Sequence, residues 1–367
     1  MKRELQIVPI SSWLNVTKPL IISGPCSAES ESQMVNTAKQ LAALKKVHVL
    51  RAGIWKPRTR PDQYEGAGDI GLNWLISAKK ETGLPVTTEV ANTVHVEACL
   101  KAGVDILWVG ARTTVNPFSV QEIANALKGV DIPVMVKNPV NPDLELWIGA
   151  LERLNRAGIT KMVAIHRGFS SFDKSGPFRN APMWDIPIEL KVRHPELEII
   201  CDPSHICGNR ELIPFIAQKA LDLDMAGLMI ESHINPATAL SDAAQQLTPA
   251  ALGKILDDLI VRTVSSADKK FKDKLTTLRE QIDKLDDEIM HTLAARMKIS
   301  EQIGTYKRDN KVTILQVSRW EEIIQTRLAL GNAMGLSDEF TKEWLKLIHQ
   351  ESILVQQKVM NKNSERV

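Results

Sequence analysis

The chain has 367 residues, 44% of them hydrophobic and 25% charged, a balance ordinary for soluble globular protein and a length sufficient for two domains. Its net charge of +2 gives no reason to expect nucleic acid or a membrane surface as partner. The four cysteines, Cys26, Cys99, Cys201 and Cys207, are too few and too scattered for a disulfide framework, which fits a reducing compartment. The first residues lack the apolar run of a secretion signal, and no stretch approaches the ~18 apolar residues that span a bilayer. A cytoplasmic location is expected.

Short apolar runs recur at 20–22, 47–51, 85–90, 106–110, 133–137, 161–167, 198–202 and 227–231. Several are apolar on consecutive residues and rich in Val and Ile, as strands buried on both faces should be. Amphipathic stretches such as 30–45, 71–83, 94–102 and 144–158 lie between them. Eight strands alternating with helices over roughly 250 residues is the pattern of a (β/α)8 barrel, an α/β fold. A doubly wound open sheet is the alternative, but no Gly-rich dinucleotide turn follows the first strand. Thr248-Pro249 supplies a cap and a first-turn proline for a last helix expected to end near Val264. The barrel domain is placed at 1–264, opening almost at the first residue with no regulatory domain ahead of it.

Residues 265–268, Ser-Ser-Ala-Asp, read as a linker to a helical domain at 269–367. From 269 to 310 there is no proline, and Gly304 is the one glycine. Leu275, Leu278, Ile282, Leu285, Ile289, Leu293 and Met297 keep helical spacing. A helix of that length would run roughly 60 Å at about 1.5 Å per residue. One small domain cannot cover it, so the same helix from a second chain is expected to, giving a homodimer. Shorter helices are expected at 317–330 and 337–359.

Barrel enzymes work at the C-terminal ends of their strands. Those positions here hold Cys26, Arg51 with Lys56 and Arg58, Glu89, Arg112, Lys137, Arg167, Asp202 with His205, and Glu231, with Asp242 in the last loop. Singly each has a plain explanation: Asp242 caps a helix turn, Cys26 is a small buried apolar group, an Arg is solvated. Together they form a converging set. Six cations at one mouth repel unless anions such as phosphates and carboxylates neutralise them. Cys, His, Glu and Asp on different strand ends suit one divalent ion. Such a set accepts Mn, Fe, Co or Zn without choosing among them. Its open positions would allow Lewis-acid chemistry on a carbonyl.

The segments Gly24-Pro25-Cys26-Ser27-Ala28-Glu29, Lys56-Pro57-Arg58-Thr59, Gly110-Ala111-Arg112, Asp202-Pro203-Ser204-His205 and Glu231 with Leu240-Ser241-Asp242 resemble, in order, the type Iβ 3-deoxy-D-arabino-heptulosonate 7-phosphate (DAHP) synthases. The resemblance implies condensation of phosphoenolpyruvate with erythrose 4-phosphate. It implies Cys26, His205, Glu231 and Asp242 as metal ligands, and Arg51, Lys56, Arg112, Lys137 and Arg167 as the phosphoenolpyruvate cations. Arg58 and Thr59 would contact erythrose 4-phosphate, and Glu89 would lie near the attacking water. Lys56 would donate a proton to the aldehyde oxygen, its pKa expected to be depressed by positive neighbours. A related family, making a 3-deoxy-octulosonate from arabinose 5-phosphate, typically has Lys-Ala-Asn-Arg at 56–59 and ranks second. Asn138-Pro139 departs from the Asn-Gly or Arg-Gly expected after Lys137.

In the helical part, Arg296 and Lys307 are three turns apart on one face, and Arg279 points about 100° away. Ser352 and Gln356 are i, i+4 neighbours. Residues 278–286, 293–297, 303–307 and 314–316 with Arg319, Ser352 and Gln356 resemble the all-helical chorismate mutases. The resemblance implies rearrangement of chorismate to prephenate. Arg296, Lys307 and Gln356 would act on the reacting atoms, and Gln316, Arg319, Ser352 and the second chain's Arg279 would bind substrate. Trp320 departs from an acid that often contacts a substrate hydroxyl. Fusion suggests feedback on the barrel by prephenate. The competing reading makes the helical part only a prephenate-sensing, dimerising module.

Overall fold

Parallel strands close on themselves in chain order. A computed structural model describes residues 4–16, 18–57, 62–172 and 176–361. The strands are β1 (Leu20–Gly24), β2 (Val49–Arg51), β3 (Val86–Val90), β4 (Ile106–Val109), β5 (Val134–Lys137), β6 (Met162–His166), β7 (Ile199–Cys201) and β8 (Gly227–Glu231). β8 pairs with β1, with Gly24 opposite Glu231, and completes the barrel. The expected apolar runs are these strands, trimmed at some ends, and closure removes the open-sheet alternative.

The helices are α1 (Glu31–Ala43), α2 (Asp69–Thr82), α3 (Thr93–Ala102), α4 (Ala111–Thr114), α5 (Pro117–Ala126), α6 (Leu144–Arg156), α7 (Asp185–Arg193), α8 (Pro203–Cys207), α9 (Ile213–Asp222) and α10 (Pro249–Asp258). Ser30, Asn92, Asp143 and Thr248 each accept a hydrogen bond from a first-turn amide and fix where α1, α3, α6 and α10 begin. α10 stops at Asp258, short of the expected Val264. The Gln218 side chain donates to the Ile260 carbonyl at 3.0 Å and accepts its amide at 2.9 Å. Both backbone groups of Ile260 are thereby drawn away from the helix ladder.

Side chains alternate across each strand. Ile21, Leu50, Val86, Leu107, Val134, Ala164, Ile199 and Leu228 pack outward under the helices. Leu20, Ile22, Val49, Ile106, Met135, Val163, Ile200 and Met229 form a second cluster inside. The segment after the N-terminus closes its floor, with Ile10 buried and Trp13, Leu14 and Val16 packed against it. At the C-terminal ends the inward positions turn polar, with buried Arg51, Lys137, Asp202 and Glu231. The apolar floor and charged rim come from one alternation, and they leave only the upper end for chemistry.

Two compact units divide the chain at Val264 and Ser265. The second holds α11 (Lys269–Asp309), α12 (Val317–Ala333) and α13 (Asp338–Asn361). Only Ser300 and Gly304 of α11 are buried. A Cβ on Gly304 would sit 3.0 Å from the Cα of Gln356, so this glycine allows α11 and α13 to approach closely. Leu278, Ile282, Leu285 and Ile289 stay exposed. No helix among the described residues is long and apolar enough to cross a membrane.

Candidate active site

A cavity of about 450 Å³ opens at the barrel's charged end, lined by Lys56, Glu89, Arg112, Lys137, Arg167, Arg179, His205 and Asp242 among others. Beneath it Cys26, Glu231 and Asp242 offer ligand atoms within 4.8 Å of one another. His205 Nε2 is 3.8 Å from Glu231 Oε1. Its Nδ1 lies 2.8 Å from Asp202, whose other oxygen accepts the His205 amide at 3.1 Å. Asp202 thus aims Nε2 at the carboxylates, the usual outer support of a metal-binding histidine.

The plain explanations of these residues fail on geometry. Asp242 precedes a short 3-10 turn but makes no capping bond, and its backbone is left-handed at φ 47°. That conformation is uncommon outside Gly, Asn and Asp. Its carboxylate instead accepts from Arg179 at 3.0 Å and from the Cys26 thiol at 3.3 Å. Cys26 is not an inert apolar group, because Lys56 Nζ lies 3.0 Å from its sulfur. Burial, with Glu231 and Asp242 nearby, pushes the thiol up to about 12 against the pull of Lys56 and Arg51. The donor set therefore fits a cation. Cys26, Glu231 and Asp242 crowd together with His205 Nε2 beside Glu231, and Glu231 Oε1 is buried with no hydrogen bond, only the Arg51 ion pair at 3.1 Å.

Arg51 lies behind the cavity, 1% exposed, with one nitrogen 3.1 Å from Glu231 and its guanidinium 5.0 Å over Trp108. Burial opposes its charge, but Glu231 and Asp202 hold its pKa above the usual value. Arg51→Met is expected to destabilise the metal-free protein by about 3 kcal/mol, because it leaves Glu231 charged and buried. Urea denaturation of the chelated protein checks this; an unshifted midpoint would mean that Glu231 is otherwise compensated.

The structure corrects the expectation for Lys56. Burial does weigh against its charge, but Cys26, Glu231 and Glu89 outweigh both burial and Arg51, and its pKa is raised. Glu231 and Glu89 among its neighbours are carboxylates, so it holds its proton in this arrangement. Lys137 sits 2.8 Å from Asp202. Burial raises the Asp202 carboxyl, yet His205 and Lys137 hold it well below its usual range. Burial lowers Arg167 to about 10, with Arg179 and Arg112 adding to the effect against Asp202. Arg112 reaches the Pro57 carbonyl at 3.2 Å. Glu89 accepts the Trp108 indole N–H at 2.9 Å. Gly110 is required beside it, since a Cβ there would fall 2.1 Å from Glu89 Oε1. Arg58 and Thr59 lie outside the described residues.

In the Asn138-Pro139 pair, Asn138 is the structural anchor. It is fully buried, its amide donates to the carbonyls of Pro139 and Gly168, and its oxygen accepts the Arg167 amide at 2.7 Å. It therefore ties the end of β5 to that of β6 and seats Arg167. Arg179 was not anticipated. It sits in the long β6–α7 connection, where no strand-end rule reaches. Gln245 and Gln246 were also missed: Gln245 donates to Glu231 at 2.7 Å, and Gln246 accepts the Cys26 amide at 2.9 Å.

In the helical unit, Arg296 of α11 donates to Ser352 Oγ of α13. Gln356 donates to the Ser352 carbonyl, and its Oε1 is buried with no partner. Lys307 donates to the Ile314 carbonyl. Arg319 pairs with Glu322 at 2.6 Å on the surface. Gln316 is the N-cap of α12, with no capping side-chain bond. Arg279 precedes Arg296 by 17 residues on the same helix, about 25 Å away, so within one chain it does not join this group.

Residues 15–265 match the family model described as DAHP synthetase I, and residues 278–357 match chorismate mutase type II. The barrel is 33% identical over 228 residues to a phospho-2-dehydro-3-deoxyheptonate aldolase of Thermotoga maritima, covering 62% of this chain and 64% of that protein. The chain thus spans somewhat under two thirds of that relative's length. A 2-dehydro-3-deoxyphosphooctonate aldolase of Acidithiobacillus ferrooxidans is 29% identical, over 60% of this chain and 81% of its own. A solved DAHP synthase of Thermotoga maritima superposes with a TM-score of 0.58 at 29% identity, covering 65% of this chain and 66% of that one.

Proposed function

The chain belongs to the DAHP synthetase I family, and from that membership we propose that its barrel condenses phosphoenolpyruvate, erythrose 4-phosphate and water to DAHP and phosphate. The observation that carries this reading is the cavity itself: Lys56, Arg112, Lys137, Arg167 and Arg179 line it above a metal-type donor set. Water adds to C2 of phosphoenolpyruvate, C3 bonds to the aldehyde carbon, and phosphate leaves C2. The cations hold the phosphate and carboxylate and match charge that grows on them. A divalent ion, manganese first, held by Cys26, His205, Glu231 and Asp242 would polarise the aldehyde oxygen. Lys56, kept protonated by its anionic neighbours, donates the proton that this oxygen needs. Glu89, fixed by Trp108, orients the water. Arg58 and Thr59 take the second phosphate, and Arg51 keeps Glu231 in place below phosphoenolpyruvate.

Lys56→Ala is expected to lower kcat about a hundredfold or more while the KM for phosphoenolpyruvate moves only severalfold. Equal losses in both would make Lys56 a binding cation only. Assays with erythrose 4-phosphate against arabinose 5-phosphate test the substrate. Preference for the pentose would favour the octulosonate reading, which Lys56-Pro57-Arg58-Thr59 disfavours.

The helical unit rearranges chorismate to prephenate, using Arg296, Lys307 and Gln356 at the reacting atoms and Gln316, Arg319 and Ser352 around them. The buried, unpaired Gln356 oxygen, one turn from the Ser352 that Arg296 reaches, supports this over a purely sensory role. Chorismate consumption by the full chain tests it; prephenate binding without turnover would favour a sensor. Two chains pair along the exposed apolar stripe of α11, and each lends Arg279 to the other. Prephenate feeds back on the barrel in this cytoplasmic enzyme through a ligand-dependent arrangement of the units. X-ray scattering with and without prephenate, beside barrel rates, tests that link.

A further inference from the structure

α12 and α13 meet through an aromatic pair. Trp320, in the first turn of α12, stacks on His349 of α13 with ring centroids 3.9 Å apart and planes 14° from parallel. His349 lies one turn before Ser352 and two before Gln356, so the three share a face of α13. That face looks onto α11, where Arg296 reaches Ser352 and Gly304 abuts Gln356. The charges felt by His349 are Arg296 and Lys307 of α11. Both rings are half-buried. The stack therefore borders the cationic pair Arg296 and Lys307.

The chemistry of that stack differs from the pattern this unit resembles. An acid often stands where Trp320 does, and it accepts a hydrogen bond from a substrate hydroxyl. An indole offers a donor and no acceptor. A neutral imidazole carries an acceptor nitrogen. Burial lowers the His349 pKa, and Arg296 and Lys307 lower it further, which favours the neutral ring that carries that nitrogen.

We propose that His349, its plane fixed by the Trp320 stack, is the substrate-contacting residue that receives the ring hydroxyl of a cyclic dicarboxylate in the mutase pocket. This rests on reading the helical unit as a mutase. The contact sets specificity, because an acceptor enclosed by the bound ligand discriminates against a ligand lacking the hydroxyl.

The test compares two inhibitors on the full-length chain: a bicyclic ether dicarboxylate that mimics the rearrangement, with its ring hydroxyl and without it. Wild type should bind the hydroxylated form more tightly. His349→Leu should lose about three- to tenfold affinity for that form and none for the deoxy form. His349→Gln, which keeps an acceptor, should retain discrimination. Trp320→Glu in the His349→Leu background should restore it by returning an acid to that position. Equal losses for both inhibitors, or discrimination untouched in His349→Leu, would overturn the proposal. A wild-type chain that binds neither inhibitor and leaves chorismate intact would overturn the mutase reading itself, a distinct result.

Discussion

Removing the divalent ion with a chelator is expected to lower DAHP formation by about a thousandfold, several kcal/mol in the barrier. Cys26→Ala should produce a comparable loss even with metal supplied. The expectation follows from how the ligands are held. Cys26 takes its amide position from Gln246. Gln246 also donates to the Ser241 carbonyl, and Ser241 shares a 2.6 Å hydroxyl contact with Ser27. The two loops that carry Cys26 and Asp242 are therefore laced together through buried groups. Glu29 adds to this by accepting the Leu240 amide at 2.8 Å. A site so constrained cannot recruit a distant side chain when its thiol is lost. Phosphoenolpyruvate loss, followed beside elemental analysis of bound metal, gives the answer. Full turnover by the chelated protein would refute a metal-dependent reading, and a Cys26→Ala variant with native metal content and rate would remove Cys26 from the ligand set.

The same geometry shows what periodicity reveals and what it hides. Most of the strands were legible because they are apolar on consecutive residues, so short runs such as 134–137 stand out from amphipathic helix. Charged residues at strand ends were legible for the converse reason: Arg51 or Lys137 in an inward-facing position contradicts the apolar run it ends. Arg179, Gln245 and Gln246 carry no such contradiction. They are polar residues in loops, and only the folded path of those loops brings them to Asp242, Glu231 and Cys26. The Lys56 expectation went wrong through the same gap. The strand ends taken alone appear cation-rich, but the side chains nearest Nζ are a thiol and carboxylates. The extent of α10 was hidden too, since Gln218, forty-two residues from Ile260, ends it.

Arg296→Ala is expected to slow chorismate rearrangement by about 10² to 10³-fold, the loss typical of removing one preorganised donor from developing charge. An intramolecular rearrangement needs no nucleophile. Its rate enhancement comes from holding a compact conformer and matching charge on two carboxylates and an ether oxygen. Arg296 is suited to that role because Ser352 fixes its guanidinium before substrate arrives. Arg296→Lys should fall between wild type and Ala, since an ammonium keeps the charge without the planar fork. A loss under about tenfold in Arg296→Ala would move the clamp elsewhere. Arg279→Ala should be impaired as well, although Arg279 lies far along α11 from Arg296 in its own chain. The two variants then make a decisive pair. Co-expressed, they form mixed dimers in which one of the two sites receives Arg296 from one chain and Arg279 from the other, both intact. With random pairing, roughly one quarter of all sites should regain wild-type turnover. No recovery in mixed dimers would show that each chain builds its mutase site alone, and the exposed stripe of Leu278, Ile282, Leu285 and Ile289 would then need a different occupant.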